Sequence, residues 1–251
     1  MYWGATLNSV ATRVMFQDYT LLVPAVGLGN VGQLAIDLIL NTNPKTEHIR
    51  PFKTRHVLPI VGNDPLGEGC SGSMATCVEL YRLSESKVCI MQIRAPVLDG
   101  HAQLFADEMV NFALNAKMSK IAVVGAADSS AGFAELGVQL HNVAYYSASS
   151  IKESRISEFS NKGMTLIDSS SPLARSGLLQ KVSKACEKAD IEMEGLVLFC
   201  KEGINVPEAC MLGAAINTTL IVDVVPQLSR WQPPAAWAAL EGPHSAPSLF
   251  H

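Results

Sequence analysis

The chain has 251 residues, a formal net charge of −4 and only 17% charged side chains, which excludes the basic surface that nucleic-acid binding requires. Its hydrophobic content of 48% is enough for a substantial core, and its length suits one large domain. Because no apolar run reaches the roughly 18 residues that cross a bilayer, we predict no membrane partner.

The distribution of cysteine and histidine predicts neither a metal site nor a catalytic centre. The six cysteines form no CxxC pair, and the six histidines are scattered without an HExxH motif. GxSxG and GxxxxGK[ST] motifs are also absent from the sequence. The first 15 residues lack the basic start and apolar core of a secretory signal, so we expect reduced thiols and a location in the cytoplasm and nucleus.

The predicted elements alternate between strands and helices along the chain. Strands are predicted at residues 20–26, 55–62, 75–83, 87–94, 120–125 and 195–200, and helices at residues 33–40, 99–116, 172–188 and 206–222. This order predicts an α/β fold, a single domain with a mixed, largely buried sheet flanked by helices.

A literal GxGxxG motif, Gly27-Leu-Gly29-Asn-Val-Gly32, follows the first predicted strand. In a dinucleotide site such glycines place the pyrophosphate on the amides at a helix N-terminus, and an acidic residue ends the next strand about 20 residues later. Here Glu47 lies between Pro44 and Pro51 with no apolar run before it. We therefore interpret the glycines as a tight strand-to-helix turn, with Asn30 as a candidate N-cap, and predict no cofactor.

A second glycine-containing segment, Gly125-Ala-Ala-Asp-Ser-Ser-Ala131, also follows a predicted strand. Such a turn can cradle an anion through its backbone amides. We interpret it as an ordinary loop at the end of a strand, and the serines near it as loop residues rather than nucleophiles.

A change in composition after residue 225 predicts the domain organisation. Residues 1–225 form the α/β core, and residues 226–242, rich in proline and alanine, are expected to pack on that core through Trp231 and Trp237. Residues 243–251 have no periodic pattern and are predicted to form a flexible C-terminal tail.

Four sequence blocks, in order and spread over nearly the whole chain, resemble the proteasome assembly chaperone 2 family. They are residues 20–40, Leu58-Pro-Ile-Val-Gly-Asn-Asp-Pro65, Glu202-Gly-Ile-Asn-Val-Pro-Glu-Ala209, and Arg230-Trp-Gln-Pro-Pro-Ala-Ala-Trp237 with the terminal Ser248-Leu-Phe. The resemblance is less distinct over residues 100–180.

The resemblance implies a non-enzymatic protein that forms a heterodimer with proteasome assembly chaperone 1. It also implies that the dimer holds proteasome α subunits while the α ring assembles and prevents off-pathway pairing of α rings. In this family the C-terminal tail, which ends in a hydrophobic residue, Tyr and any residue, inserts into a pocket between α subunits. Leu249, Phe250 and His251 match that pattern with Phe in place of Tyr, which removes the phenol hydroxyl.

The resemblance leaves one alternative of another class. The family's fold is similar to that of nucleoside phosphorylases, so a small-molecule-binding or nucleoside-phosphorylase-like enzyme is the competing function. That alternative depends on fold analogy alone.

Overall fold

The computed structural model describes residues 14–67, 73–129, 142–147, 153–220 and 231–237. The strands are β1 (Thr20–Pro24), β2 (Glu47–Pro51), β3 (Val61–Asn63), β4 (Met74–Thr76), β5 (Val78–Leu83), β6 (Val88–Ile93), β7 (Lys120–Asp128), β8 (Val143–Ser147), β9 (Leu166–Asp168) and β10 (Glu192–Cys200). The helices are α1 (Val31–Thr42), α2 (Ala102–Asn115), α3 (Glu153–Asn161), α4 (Leu179–Ala189) and α5 (Val206–Ala215).

Eight of these strands form one mixed sheet in the order β2-β5-β6-β1-β7-β10-β8-β9. The four central strands, β6, β1, β7 and β10, are parallel to one another. Strand β5 pairs antiparallel with β6 on one side, and β8 pairs antiparallel with β10 on the other. Strands β3 and β4 form a separate two-stranded ribbon. The mixed, largely buried sheet predicted from the sequence is therefore confirmed.

Helices cover both faces of the sheet and divide the core into two layers. Helix α2 buries Phe105 and Phe112 in one layer, together with α4 and the side chains of that face. Helix α1 buries Ile36 and Ile39 in the other layer, where it packs against α5. Strands β7 and β10 are buried along nearly their whole length because both of their faces are covered.

Proline at the end of β1 is compatible with a central strand position. Pro24 pairs with Val124 of β7, whereas the pairing of β1 with β6 ends two residues earlier, at Leu22. The missing proline N–H therefore leaves no gap in the β6 ladder. The rule that places proline at strand edges is therefore satisfied within a central strand, because the last residues of β1 are locally an edge.

Three predicted elements have different bounds in the structure. The helix predicted at residues 172–188 begins only at Leu179, because Arg175 (φ 58°) and Gly177 (φ 61°) adopt left-handed backbone conformations. The strand predicted at residues 75–83 is two strands in different sheets, since β4 pairs with β3 and β5 pairs with β6. The strand predicted at residues 55–62 is limited to β3 and an isolated bridge between Val57 and Val97.

The segment that contains the two tryptophans has well-defined contacts. Trp237 is buried against Leu38 and Val206, on the surface formed by α1 and α5. The N–H of Gln232 donates to Oγ1 of Thr42 at 3.0 Å. The predicted domain boundaries are not tested by these contacts, and the tail at residues 243–251 lies outside the described residues.

Among the described residues, no helix has the length and apolar character needed to cross a bilayer.

Candidate functional site

A cleft of about 570 Å³ opens at the carboxyl ends of β1 and β10. In parallel α/β sheets this edge is where ligands are usually bound. The cleft is the natural candidate site, and its walls come from the turn after β1, the segment before α4 and the turn after β10. Its lining residues are Val26, Gly27, Leu28, Gly29, Asn30, Arg175, Gly177, Glu202 and Gly203.

The backbone of the glycine turn is engaged in hydrogen bonds within the protein. The N–H of Leu28 donates to the carbonyl of Arg175 at 3.1 Å, and the N–H of Asn30 donates to the carbonyl of Gly27 at 3.4 Å. The N–H of Leu178 donates to the carbonyl of Ala25 at 2.5 Å. Two of the amides that a pyrophosphate would need are thus occupied by the chain itself.

Close packing accounts for the glycines of the GxGxxG motif. A Cβ at Gly32 would lie 2.4 Å from the carbonyl oxygen of Val124, so this glycine allows α1 to approach β7. A Cβ at Gly29, whose φ is 60°, would lie 1.8 Å from Nδ2 of Asn205. Asn30 is the N-cap of α1, but its side chain makes no capping hydrogen bond. Packing requires these glycines whether or not a ligand binds.

The acidic residue that a dinucleotide site needs is remote from the cleft. Glu47 begins β2, at the edge of the sheet and three strands away from β1. Its carboxylate accepts hydrogen bonds from Nη2 of Arg82 at 2.6 Å and from Oγ of Ser84 at 2.9 Å. Glu47 therefore has a local structural role and is not positioned to bind a ribose.

The ionisable side chains that line the cleft neutralise each other. Nη1 of Arg175 lies 2.9 Å from Oε2 of Glu202, and both side chains are substantially exposed. The hydrogen bond from Arg175 lowers the pKa of Glu202 below its ordinary value. A carboxylate held in its charged form by a guanidinium is a poor general base, and among the residues that the structure describes no serine, cysteine or histidine lines the cleft.

The described part of the segment at residues 125–131, up to Ser129, does not form the anion cradle considered above. Strand β7 continues through Gly125 as far as Asp128. The N–H of Asp128 donates to the carbonyl of Ala174, and the N–H of Ser129 donates to that of Cys200, both at 3.0 Å. Within the described part of this segment, these amides bond to neighbouring chain segments.

One pair of histidines is brought together by the fold. Nδ1 of His56 lies 3.0 Å from Nδ1 of His101, although the two residues are 45 positions apart in the sequence. Nothing in the sequence pattern indicates this contact, which joins the segment before β3 to the start of α2. No group of three or more His, Cys, Asp or Glu side chains among the described residues is arranged to hold a metal ion.

The predicted partner-binding residues, Leu249, Phe250 and His251, lie outside the described residues. Their proposed role in an α-ring pocket stays a prediction.

Comparison with known families identifies the chain. The model of the PAC2 family matches residues 21–225, and the chain belongs to this family. Proteasome assembly chaperone 2 of Danio rerio is 26% identical over 253 residues, covering 94% of this chain and 96% of that protein. Proteasome assembly chaperone 2 of Homo sapiens is 29% identical over 255 residues, covering 92% and 95%.

Solved structures share the fold at low identity. A Thermoplasma acidophilum protein of unknown function superposes with a TM-score of 0.68 at 15% identity, covering 91% of this chain and 87% of that one. Pyrococcus furiosus PbaA, an archaeal homolog of proteasome-assembly chaperone, has a TM-score of 0.60 at 17% identity, covering 84% and 86%. A Helicobacter pylori MTAN variant with 5'-methylthioadenosine in its active site has a TM-score of 0.51 at 9% identity, covering 81% and 98%. Likeness at these identities shows the fold alone.

Proposed function

We propose that this chain is a non-enzymatic chaperone of proteasome assembly that works as a heterodimer with proteasome assembly chaperone 1. The observation that carries the proposal is the full-length likeness to relatives named proteasome assembly chaperone 2. The alignments cover more than nine-tenths of this chain and of the Danio and human proteins. A match of that extent is more specific than a shared fold, which by itself carries no function.

The chemistry of the cleft supports a non-enzymatic role. Its ionisable lining residues, Arg175 and Glu202, pair with each other. Gly27 and Gly32 are explained by close backbone neighbours, and Gly29 by its positive φ and the adjacent side chain of Asn205, so the motif that most resembles a cofactor site needs no cofactor.

Binding to the α ring is proposed to involve the tail. Nine residues, 243–251, reach at most roughly 30 Å when extended. Burial of Leu249 and Phe250 in a pocket between α subunits contributes about 1.5–3 kcal/mol each. Such a contact is weak alone, but it gains from effective concentration once the folded body of the dimer is seated on the ring. A chaperone that occupies this ring surface also hinders incorrect pairing of incomplete rings.

A location in the cytoplasm and nucleus fits the chemistry of the buried thiols. Burial raises the pKa of Cys186 to about 12 and the pKa of Cys200 to about 11. Both are free cysteines. Thiols that are neutral and enclosed suit a reducing compartment.

Co-expression with proteasome assembly chaperone 1 tests the proposal. The tagged chain is purified from cells that also contain the proteasome α subunits, and co-purifying proteins are identified by mass spectrometry. Recovery of the partner at equal stoichiometry, together with α subunits, is the expected result. The absence of both from a soluble, folded preparation would overturn the proposed function.

A further inference from the structure

The contact between His56 and His101 requires a proton between two nitrogen atoms. The two Nδ1 atoms are 3.0 Å apart, and the ring centroids are 5.2 Å apart with the ring planes inclined at 57°. The nitrogens therefore lie between the rings and face each other. This separation is in the hydrogen-bonding range, whereas a zinc ion in line between two imidazole nitrogens would hold them about 4 Å apart. The contact is an N–H···N hydrogen bond.

The protonation state of the two imidazoles decides whether this bond forms. A neutral imidazole has a proton on one nitrogen and a lone pair on the other, so two neutral rings can bond through their Nδ1 atoms. A charged ring still donates to a neutral partner, in a stronger, charge-assisted bond. When both rings are charged, both Nδ1 atoms are donors and the bond is lost. The bond therefore survives the first protonation but not the second.

The surroundings of the pair favour one positive charge over two. Oγ1 of Thr54 accepts the N–H of His56 at 3.1 Å and donates to Oε2 of Glu108, on α2, at 2.5 Å. The carboxylate of Glu108 favours a positive charge nearby. His101, however, is the N-cap of α2, and residues 102–105 of the first turn include no acidic side chain, so the helix dipole opposes a second cation. The other ionisable residues of the segments and helices that meet here are Lys53, Arg55, Asp99, Asp107 and, on α4, Lys181, Lys184, Glu187 and Lys188.

The pair lies beside a short stretch of backbone pairing. The N–H of Leu98 donates to the carbonyl of His56 at 2.9 Å, and the N–H of Leu58 donates to the carbonyl of Pro96 at 3.0 Å. These two bonds join the segment before β3 to the segment before α2. The side-chain bond from His56 to His101 adds a further link between the same two segments, so its loss should loosen the backbone bonds next to it.

We infer that His56 and His101 form a pH-sensitive link, which holds the segment before β3 against the start of α2 and opens when both imidazoles are charged. Histidine side chains change charge between about pH 8 and about pH 5, so the link opens within that range. At the lower pH the unfolded chain binds two protons here and the closed link holds one, so the link stabilises the fold at neutral pH and loses this effect as the pH falls. The released segment carries Leu58 and Ile60, two exposed apolar side chains whose position then depends on pH.

Hydrogen exchange of the full-length chain at about pH 7.5 and about pH 5 tests the link. The protection of the Leu58 and Leu98 amides, each relative to its intrinsic rate at the same pH, is expected to fall by about tenfold or more at the lower pH. The amide of Ala25, which donates to the carbonyl of Val124 at 2.8 Å in the central sheet, is the internal control for a general loss of stability. Unchanged protection of Leu58 and Leu98, or an equal loss at all three amides, would overturn the inference.

The variant His101→Ala separates a proton-dependent link from a purely structural contact. With one imidazole left, Leu58 and Leu98 should show the lower protection at both pH values, and the difference between the two pH values should disappear. His48→Ala is the matched control, because His48 is half exposed on β2 and should keep the wild-type pH dependence. A pH dependence that persists in His101→Ala would belong to another group and would overturn the inference.

A measurement on the wild-type chain gives a result even where His101→Ala does not fold. In a chain labelled with the heavy nitrogen isotope at histidine, nuclear magnetic resonance detects the coupling between the two Nδ1 atoms across their hydrogen bond. The coupling is expected at about pH 7.5 and should be lost by about pH 5. A folded chain without this coupling at the higher pH, or with unchanged coupling at the lower pH, would overturn the inference.

Discussion

The guanidinium of Arg155 on α3 donates through Nη2 to Oε2 of Glu194 on β10 at 2.7 Å, and it also lies over the ring of Phe159, 4.7 Å from the centroid. Glu194 is only 2% exposed. Nζ of Lys120 and the hydroxyl of Tyr145 donate to the same carboxylate. One buried acid therefore joins α3, β7, β8 and β10.

Removal of the charge on Glu194 should destabilise the fold. In Glu194→Gln, the largely buried cation of Lys120 loses the carboxylate with which it pairs, and Arg155 keeps only Glu158, which costs about 3 kcal/mol. Glu192→Gln is the control, because Glu192 lies on the same strand with its side chain exposed, and it should change stability by less than about 0.5 kcal/mol. Urea unfolding of the two variants in the same heterodimer measures the difference, and equal midpoints would contradict the prediction.

Close packing at the glycine turn predicts that a single added methyl group lowers the stability of the fold. Gly32→Ala places a Cβ 2.4 Å from the carbonyl of Val124, so α1 must move away from β7. The expected loss of stability is about 1–3 kcal/mol. Gly203→Ala is the control, since a Cβ there meets no atom within 4 Å. An unchanged thermal unfolding midpoint in Gly32→Ala would show that the close approach of α1 to β7 does not contribute to stability.

Nicotinamide and flavin cofactors are predicted not to bind, despite the GxGxxG motif. The amides of Leu28 and Asn30 already donate within the protein, and Glu47 lies at the far edge of the sheet. Millimolar NAD should therefore leave the unfolding temperature unchanged. A ligand that binds the native state raises that temperature, so a saturable increase would refute the prediction.

The ion pair of Glu47 predicts a specific dependence of stability on pH. Hydrogen bonds from Arg82 and Ser84 lower the pKa of Glu47 below its ordinary value of 4.5. A carboxyl whose pKa is lowered by folding adds stability above the unfolded value and loses it as the pH falls through the folded value. Wild type should thus unfold at a higher temperature than Glu47→Gln at about pH 7, and the difference should shrink steadily as the pH falls below 4.5. A difference that stays constant below that pH would exclude this ion pair as its cause.

The tail is predicted to anchor the chain to the α ring through Phe250 and the terminal carboxylate. Phe250→Ala removes the apolar ring, whereas one glycine added after His251 displaces only the carboxylate, whose charge-assisted contact depends on position. Each change should lower recovery of α subunits and leave partner recovery intact. Deletion of residues 249–251 is the decisive variant, since unchanged α-subunit recovery would assign all binding to the folded body.

Sequence periodicity was sufficient for the elements that have a strong local pattern. Strands β1, β6, β7 and β10 are apolar runs, and α2 repeats Phe105, Met109 and Phe112 at helical spacing. Both patterns follow from burial of one or both faces, so the α/β class was predictable. The amphipathic pattern of α3, by contrast, gave no prediction, since few of its residues are apolar.

Contacts between distant residues were decided only by the tertiary structure. The helix predicted from Pro172 begins at Leu179 because Gly177 lies against Ala25, where a Cβ would be 2.1 Å from the carbonyl oxygen. The carboxylate of Asp37, within the apolar run of α1, accepts hydrogen bonds from Arg94 at 3.0 Å and from Gln92 at 2.7 Å. The sequence pattern around these three residues does not indicate that they are in contact.

The GxGxxG motif shows the same division between sequence and structure. Composition and spacing established that the turn needs glycine, since three glycines in this pattern indicate a tight strand-to-helix connection. Whether a ligand or the protein itself approaches that turn depends on segments about 150 and 175 residues further along the chain, around Arg175 and Asn205. Local propensity carries no information about such contacts, because their free energy arises only when the sheet brings the strand ends together.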